Sequence, residues 1–339
     1  DSTIFGSVDP AQFDTFDASQ FAAFDVSALS NMVQGQFDKL ATSTNNLFVN
    51  LSANQLQAIP ASLFAGGAVV ASHVSRLDTK IPDLTASQIG NVLPATGALA
   101  SLTTTDISNL TDAAVGALTS SFVTELSDAQ RNDGFRSAQI PLISVTAINA
   151  LSDTDISNLD ANFTASLDVS QVSGITGDAK IQSIKVQHLD SIETELTNAQ
   201  ISKLSVHQIA NITHPSQIQA LSNVSKLQHL TTSQIPAIIA DQFDDISNGQ
   251  FDSFTAAQMA AFSDSALGNM TNDQFDKLAS TTANLFSSLD RAAINAIPDD
   301  RWTRTVSGHI EKLGSSFSLL SSVEYRNIPS SVINSTVTA

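Results

Sequence analysis

Six histidines and several paired aspartates are the residues in this chain whose types could do chemistry. His188, His207, His214 and His229 invite a metal reading, but no H-x3-H or HExxH spacing accompanies them. His188 and His207 fall at inner places of a repeating unit, where a side chain is expected to face solvent or the next turn. Asp153 with Asp155, Asp244 with Asp245, and Asp299 with Asp300 offer carboxylate oxygens of the kind Ca²⁺ takes in sixes to eights. No twelve-residue calcium loop and no Gly-Gly-x-Gly-x-Asp roll frames them, so a solvated acidic face is the default reading. Ser is abundant, yet there is no G-x-S-x-G elbow and no Gly-rich phosphate loop. No catalytic residue, bound cofactor or resident metal is assigned. The chain is not expected to be an enzyme, and Asp153, Asp155, Asp244 and Asp245 stand only as weak Ca²⁺ candidates.

The elements that carry these residues are the stronger signal, because the chain repeats itself every eight residues. From Leu204 it reads LSVHQIAN, ITHPSQIQA, LSNVSKLQH, LTTSQIPA, IIADQFDD, ISNGQFDS, FTAAQMAA, FSDSALGN and MTNDQFDK. The unit recurs at Leu102, Leu110, Leu118 and Leu151. An apolar residue opens it, Ser or Thr follows, Gln or Asp stands fifth, and a second apolar residue stands sixth. Fixed-period self-similarity marks a solenoid. Ser or Thr followed three residues later by Gln is a capping box, with each side chain satisfying a backbone N–H at a helix start.

Each octad is therefore read as about one and a half turns of helix, restarted by a new cap. Positions 1 and 6 differ by roughly 140° around a helix, too wide for one stripe, so the opener must sit at a bend. The predicted N-caps are Thr103, Thr111, Thr119, Thr231 and Thr255. The predicted core is Leu102, Ile107, Leu110, Val115, Leu118, Leu151, Ile156, Leu204, Ile209, Leu230, Ile235, Phe243, Phe251 and Phe275. The fold class expected is all-α, an elongated solenoid or superhelix of short capped helices; a β-solenoid is the alternative. Prolines agree with the helical reading: Pro10 and Pro215 fall in first turns, while Pro60, Pro298 and Pro329 follow an opening Ile.

A longer repeat overlies the octad. QFDTFDASQFAAF from Gln12 returns as QFDSFTAAQMAAF from Gln250, and QFDKLATSTNNLF from Gln36 as QFDKLASTTANLF from Gln274. The segments 12–60 and 250–298 are thus duplicated at an offset of about 238 residues, with His73 and His309 extending the match. The expectation is one continuous repeat body over 1–339. Stretches that break the octad (Ala65–Lys80, Gln88–Ser101, Gln130–Leu142, Thr303–Glu324) are read as bends or loops.

Composition bounds the class. Over 339 residues the apolar share is 42%, enough for a continuous core, and no apolar run approaches the roughly 18 residues of a membrane helix. A net charge of −18 with only 15 Lys and Arg argues against nucleic acid or anionic membrane as a partner. The absence of cysteine excludes thiolate metal sites, thiol redox motifs and disulfides. The seven N-x-[ST] sequons, beginning with Asn50 and Asn109, arise where an octad ending in Asn meets the next opener. Residue 1 is Asp, which reads as a processed chain or a window on a longer one.

The runs LTTSQIPAI, LTASQIGNV and LSDTDISNL resemble the LTxxQIxAL octads of giant Gram-negative surface and secreted proteins with adhesin or RTX-like architecture. The resemblance covers most of the chain and implies an exported, extracellular or cell-surface bacterial protein, with no catalytic residue to carry over. The expected function is an extracellular structural repeat protein forming a filament, sheath or surface layer by head-to-tail assembly. The alternative is an adhesin stalk or a protein-recognition scaffold segment. The expected partner is a copy of itself in a polymer or tandem array. Aromatic crowding in the duplicated segments marks Phe13, Phe16, Phe251 and Phe254 as interface candidates, and Trp302 and Tyr325 on the flanks join them.

Overall fold

A computed structural model describes residues 2–65, 71–92, 99–189, 191–212, 218, 221–222 and 225–337. The chain divides into two compact units, Asp1–Ser183 and Ile184–Ala339. Each is an all-α solenoid of short helices, and no strand occurs among the described residues. The helices run from four residues, as at Ala86–Ile89, to eight at Ser330–Val337. Helices this short are not stable alone, so packing between coils must hold them.

Local chemistry starts each helix as the octad requires. Thr103, Thr111, Thr119 and Thr255 are N-caps, and the Oγ1 of each accepts a backbone N–H three residues on. At Thr103 and Thr255 the fifth-position Asp106 or Gln258 completes the capping box. Thr231 departs from the expectation. It opens a turn that leads into the 3₁₀ segment Ile235–Ala237, although its N–H still reaches Gln234 Oε1 at 2.7 Å. The cause is Pro236, which has no N–H to continue an α-helical ladder. Pro141 acts alike in the 3₁₀ segment Ile140–Leu142. Pro60 and Pro298 occupy the N-cap positions of 3₁₀ segments, and Pro10 the first turn of another; Pro215 lies outside the described residues.

Openers form the corners between helices. Leu126, Ile143 and Leu151 adopt extended backbone, with φ of −65°, −64° and −55° and ψ of 139°, 130° and 141°. That turn brings positions 1 and 6 to the same side despite their angular separation. All the predicted core residues are buried: Leu102, Ile107, Leu110, Val115, Leu118, Leu151, Ile156, Leu204, Ile209, Leu230, Ile235, Phe243, Phe251 and Phe275.

Successive coils stack with little space to spare. In the first unit Ser120–Glu125 packs on Val145–Ala150, which packs on Val169–Gly174. A Cβ on Gly174 would stand 2.2 Å from Val145 Cγ1, so any larger residue there forces the Val145 side chain to move. Three of the four octad-breaking stretches prove to hold seven-residue helices. Asp128–Gly134 runs through the Asn132-Asp133-Gly134 sequence read as a bend, Ala71–Leu77 occupies part of Ala65–Lys80, and Ser307–Leu313 lies within Thr303–Glu324. Residues 66–70 and 93–98, including Pro94 and Gly97, fall outside the described residues.

The second unit repeats the element order of the first. The elements Pro10–Thr15, Ala18–Ala22, Val26–Leu29 and Gln34–Leu40 return as Asn248–Asp252, Ala256–Met259, Asp264–Leu267 and Asn272–Leu278. Ala53–Ala58, Ala61–Phe64 and Ala71–Leu77 return as Arg291–Ala296, Asp299–Arg304 and Ser307–Leu313.

Candidate functional site: glutamine forks between coils

The polar chemistry of this molecule lies in its core, at the fifth position of the octad. Gln36, Gln88, Gln130, Gln171, Gln234 and Gln274 are all buried. Each uses its amide twice. Gln130 Oε1 accepts the N–H of Ser127 at 2.8 Å, closing the capping box of its own helix. Its Nε2 donates to the carbonyls of Leu99 at 2.8 Å and Leu102 at 2.6 Å, one coil back. The same fork joins Gln171 to Ile140 and Ile143, Gln88 to Leu56 and Ile59, and Gln234 to Ile201 and Leu204.

The acceptors are the sixth residue of one octad and the opener that follows it. Those carbonyls end a helix; the sixth residue's also accepts the opener's own N–H, as Leu99 does from Leu102 at 3.0 Å, and the fork adds a second donor. One side chain therefore satisfies the start of its own helix and the end of another, about 30 residues away. The equivalent fork is present in both copies of the long repeat: Gln36 to Phe5 and Val8, and Gln274 to Phe243 and Ile246.

At Asp155 and Glu324 an acid in the fifth slot inverts the arrangement, because a carboxylate cannot donate. Asp155 is then met from the preceding coil by Arg131, at 2.5 Å. The buried Glu324 is met by Asn295, whose amide is assigned with its nitrogen toward the carboxylate because only that orientation pairs a donor with each oxygen, at 2.9 and 3.0 Å. Burial pushes the Asp155 carboxyl up, but bonds from Ser152 together with Arg131 hold it below its usual range. Arg131 is buried, and its guanidinium also binds the Leu126 carbonyl and Asp128. A capping box accepts Glu as readily as Gln; the preference for Gln here follows from the second bond.

Histidine fills the same slot at three places. His309 Nδ1 accepts the Val306 N–H at 3.1 Å, and its Nε2 lies 2.8 Å from the Phe275 carbonyl. His73 Nε2 lies 2.9 Å from the carbonyl of Phe37, the counterpart of Phe275. Burial lowers the pKa of both imidazoles. His188 is buried in the fifth slot as well, so of the two expected orientations, solvent or the next turn, it does not face solvent. His207, one position earlier in its octad, is exposed, His229 is half-buried, and His214 lies outside the described residues.

The carboxylate pairs do not converge. Asp153 is exposed, Asp155 is engaged as described, and Asp244 is exposed beside Asp245, whose carboxyl is raised by burial and then by the Asp244 charge. Among the described residues, no three His, Cys, Asp or Glu stand close enough to hold a metal ion. Other charges tie coil to coil. Lys39 pairs with Asp14 at 2.7 Å, and their counterparts Lys277 and Asp252 pair at 2.6 Å.

The aromatic candidates need a similar correction. Phe13, Phe251, Phe254 and Trp302 are core residues, packed edge-on against other rings such as Phe16 on Phe13 and Phe275 on Trp302. Phe16 is half-buried, and Tyr325 alone of the six is exposed. Aromatic residues are enriched in cores as well as in interfaces, and composition does not separate the two.

No family model matches the chain. No curated protein matches it. Among solved structures it shows a likeness to the leucine-rich repeat-containing protein LegL7 from Legionella pneumophila, at 15% identity and a TM-score of 0.20, covering 77% of this chain and 83% of that one. The architecture described above rests on the caps, corners and forks themselves.

Proposed function

We propose that this chain is a non-enzymatic structural repeat protein, one that builds extracellular or cell-surface bacterial material by stacking coil on coil. One observation carries the reading: the buried polar side chains of the octad are engaged in joining adjacent coils, as the Gln130 and Gln171 forks show. Buried groups at a reaction centre usually face a cleft with shifted pKa values. The pKa values of His73 and His309 are lowered by burial and His309 borders an open pocket with Asp276 and Arg304, yet each ring holds its Nε2 against a backbone carbonyl of the preceding coil. A head-to-tail filament, sheath or layer is the assembly that such a lattice favours. Among the described residues no helix is long and apolar enough to cross a membrane. Electron microscopy of the native material tests the proposal. Ordered filaments or layers are expected, and a chain found only as dispersed monomers would overturn it.

A second reading, a stalk or protein-recognition scaffold, is favoured by one feature. Val145 and Val169 are exposed at the first position of two helices packed on each other, with exposed Leu142 close by in sequence. An apolar ledge of this kind suits a protein partner.

A further inference from the structure

The helix Ser307–Leu313 starts without a hydroxyl or a carboxyl at its cap. Its N-cap is Val306, which has no side-chain oxygen to receive a backbone N–H. His309 closes the turn instead, its Nδ1 accepting the Val306 N–H at 3.1 Å. The other ring nitrogen, Nε2, donates to the Phe275 carbonyl at 2.8 Å. Glutamine in this slot reaches two carbonyls, as Gln274 reaches Phe243 and Ile246. A neutral imidazole has a single N–H and reaches one. Gly308 sets the helix start against the Ala279 carbonyl, from which a Cβ would stand 2.7 Å, so backbone meets backbone there. One neutral ring thus supplies the polar fastening between this helix start and the coil before it.

The ring also has a second place to stand. His309 lies on the wall of an open pocket of about 700 Å³, shared with Asp276, Thr303, Arg304 and Val306. Arg304 holds both oxygens of Asp276, but the two side chains are 40% and 41% exposed, and ion pairs so exposed are weak. The bond from Arg304 keeps the Asp276 carboxyl below its usual range, so it remains an anion in mild acid. Burial disfavours a charge on His309 where the ring now sits, whereas Asp276 favours one. The other charges nearby are engaged or exposed. Lys277 pairs with Asp252 and Arg301 with Asp300. Lys312 reaches the Thr282 carbonyl at 3.5 Å, and Asp273, Asp299 and Glu311 are exposed. Gly314–Leu319 and Ser330–Val337, which pack on the helix, carry no ionisable side chain.

We propose that His309 is an acid-operated latch: on taking a proton the imidazolium leaves the Phe275 carbonyl and turns into the pocket to pair with Asp276. The start of Ser307–Leu313 then parts from the coil before it. Trp302, the only tryptophan in the chain, reports the event. It is buried edge-on to Phe275, with ring centroids 5.3 Å apart, and its indole N–H has no acceptor among the described residues. Opening admits water to that N–H. The glutamine forks have no proton to take up in this range, and the latch works whether or not copies of the chain assemble.

Trp302 emission, followed beside far-ultraviolet circular dichroism from about pH 8 to pH 5, tests it. Wild-type emission should move reversibly to longer wavelength, with a midpoint below about pH 6.5, while the helical signal is kept. His309→Gln supplies an amide able to make both bonds, so its emission should not move. Asp276→Asn removes the partner of the imidazolium and should lower the midpoint by roughly one pH unit. His73→Gln, in the first copy, should leave the Trp302 transition unchanged. Wild-type emission that stays flat to about pH 5, a shift that survives His309→Gln, or one that runs in step with loss of helix would overturn the latch. So would a midpoint unmoved by Asp276→Asn or a transition abolished by His73→Gln. If His309→Gln does not fold, the wild-type titration and Asp276→Asn still decide.

Discussion

His309 lies flat against Phe275, with ring centroids 4.4 Å apart and planes 16° from parallel, while its Nε2 reaches the carbonyl of that same phenylalanine. The ring is neutral in this arrangement, donating from Nε2 and accepting the Val306 N–H at Nδ1. Protonation would place an N–H against an N–H. The charged groups around it are Asp276 and Arg304, which pair with each other; Asp38 and Arg76 act on His73. Both imidazoles have folded-state pKa values below the unfolded value of about 6.5. The unfolded state then binds more protons, so stability is full above about pH 6.5 and is lost as pH falls from there toward the folded pKa. Thermal unfolding from pH 8 to pH 5 should show this loss, and His309→Gln should shrink it. An unchanged pH profile in that variant would contradict the assignment.

The fork makes an uncommon distinction between two near-isosteric side chains. In Gln130→Glu, the capping acceptor toward Ser127 survives, but a carboxylate faces the carbonyls of Leu99 and Leu102. The Leu102 carbonyl loses its fork donor, which should cost about 1–3 kcal/mol, with charge repulsion from both carbonyls added; the Leu99 carbonyl keeps the Leu102 N–H. Urea midpoints should place Gln130→Glu below Gln130→Ala at pH 7, with the order reversing once the carboxyl is protonated near pH 4. A Glu variant as stable as wild type at pH 7 would remove the fork from the energetics.

At Gly174 the prediction concerns space. Gly174→Ala should destabilise by about 1–3 kcal/mol through overpacking on Val145. Val145→Ala in the same chain should recover most of that loss, since residues in contact couple. Additive effects of the two substitutions in chemical denaturation would show that the helices separate freely.

Arg131 joins two coils through a buried guanidinium. Arg131→Ala strands the Leu126 carbonyl and the Asp155 carboxylate together, and should cost about 3–5 kcal/mol. Pairing it with Asp155→Ala should recover part of this in a double-mutant cycle. Independence of the two would mean that the ion pair is ornamental.

Much of this architecture is legible in the amino-acid order. Thr103 and Asp106 declare a helix start because capping is local chemistry, and Leu102 and Ile107 declare the core because apolar spacing is local too. The second bond of Gln130 is not legible in that way. Its acceptors are backbone carbonyls, which every residue has, about 30 positions away and brought close only by coiling. A trace is visible in hindsight: Glu serves a capping box as well as Gln, yet the fifth place seldom holds it. For His188 the amino-acid order leaves solvent and the next turn both open, and burial shows that its slot is the fork position. Phe13 and Trp302 read as interface because aromatic content alone does not say which side of a coil a ring takes.

The forks also bear on how the protein would yield to a pull. Each coil is fastened to the last by a few bonds that run across the stack, such as those from Gln171 to Ile140 and Ile143. Tension along the chain would load one such set at a time, starting wherever a coil has a neighbour on one side only. A coil of roughly 30 residues, once peeled, would release on the order of 100 Å of backbone. The result would be a material that lengthens in steps and absorbs work at each one, instead of failing at a single threshold.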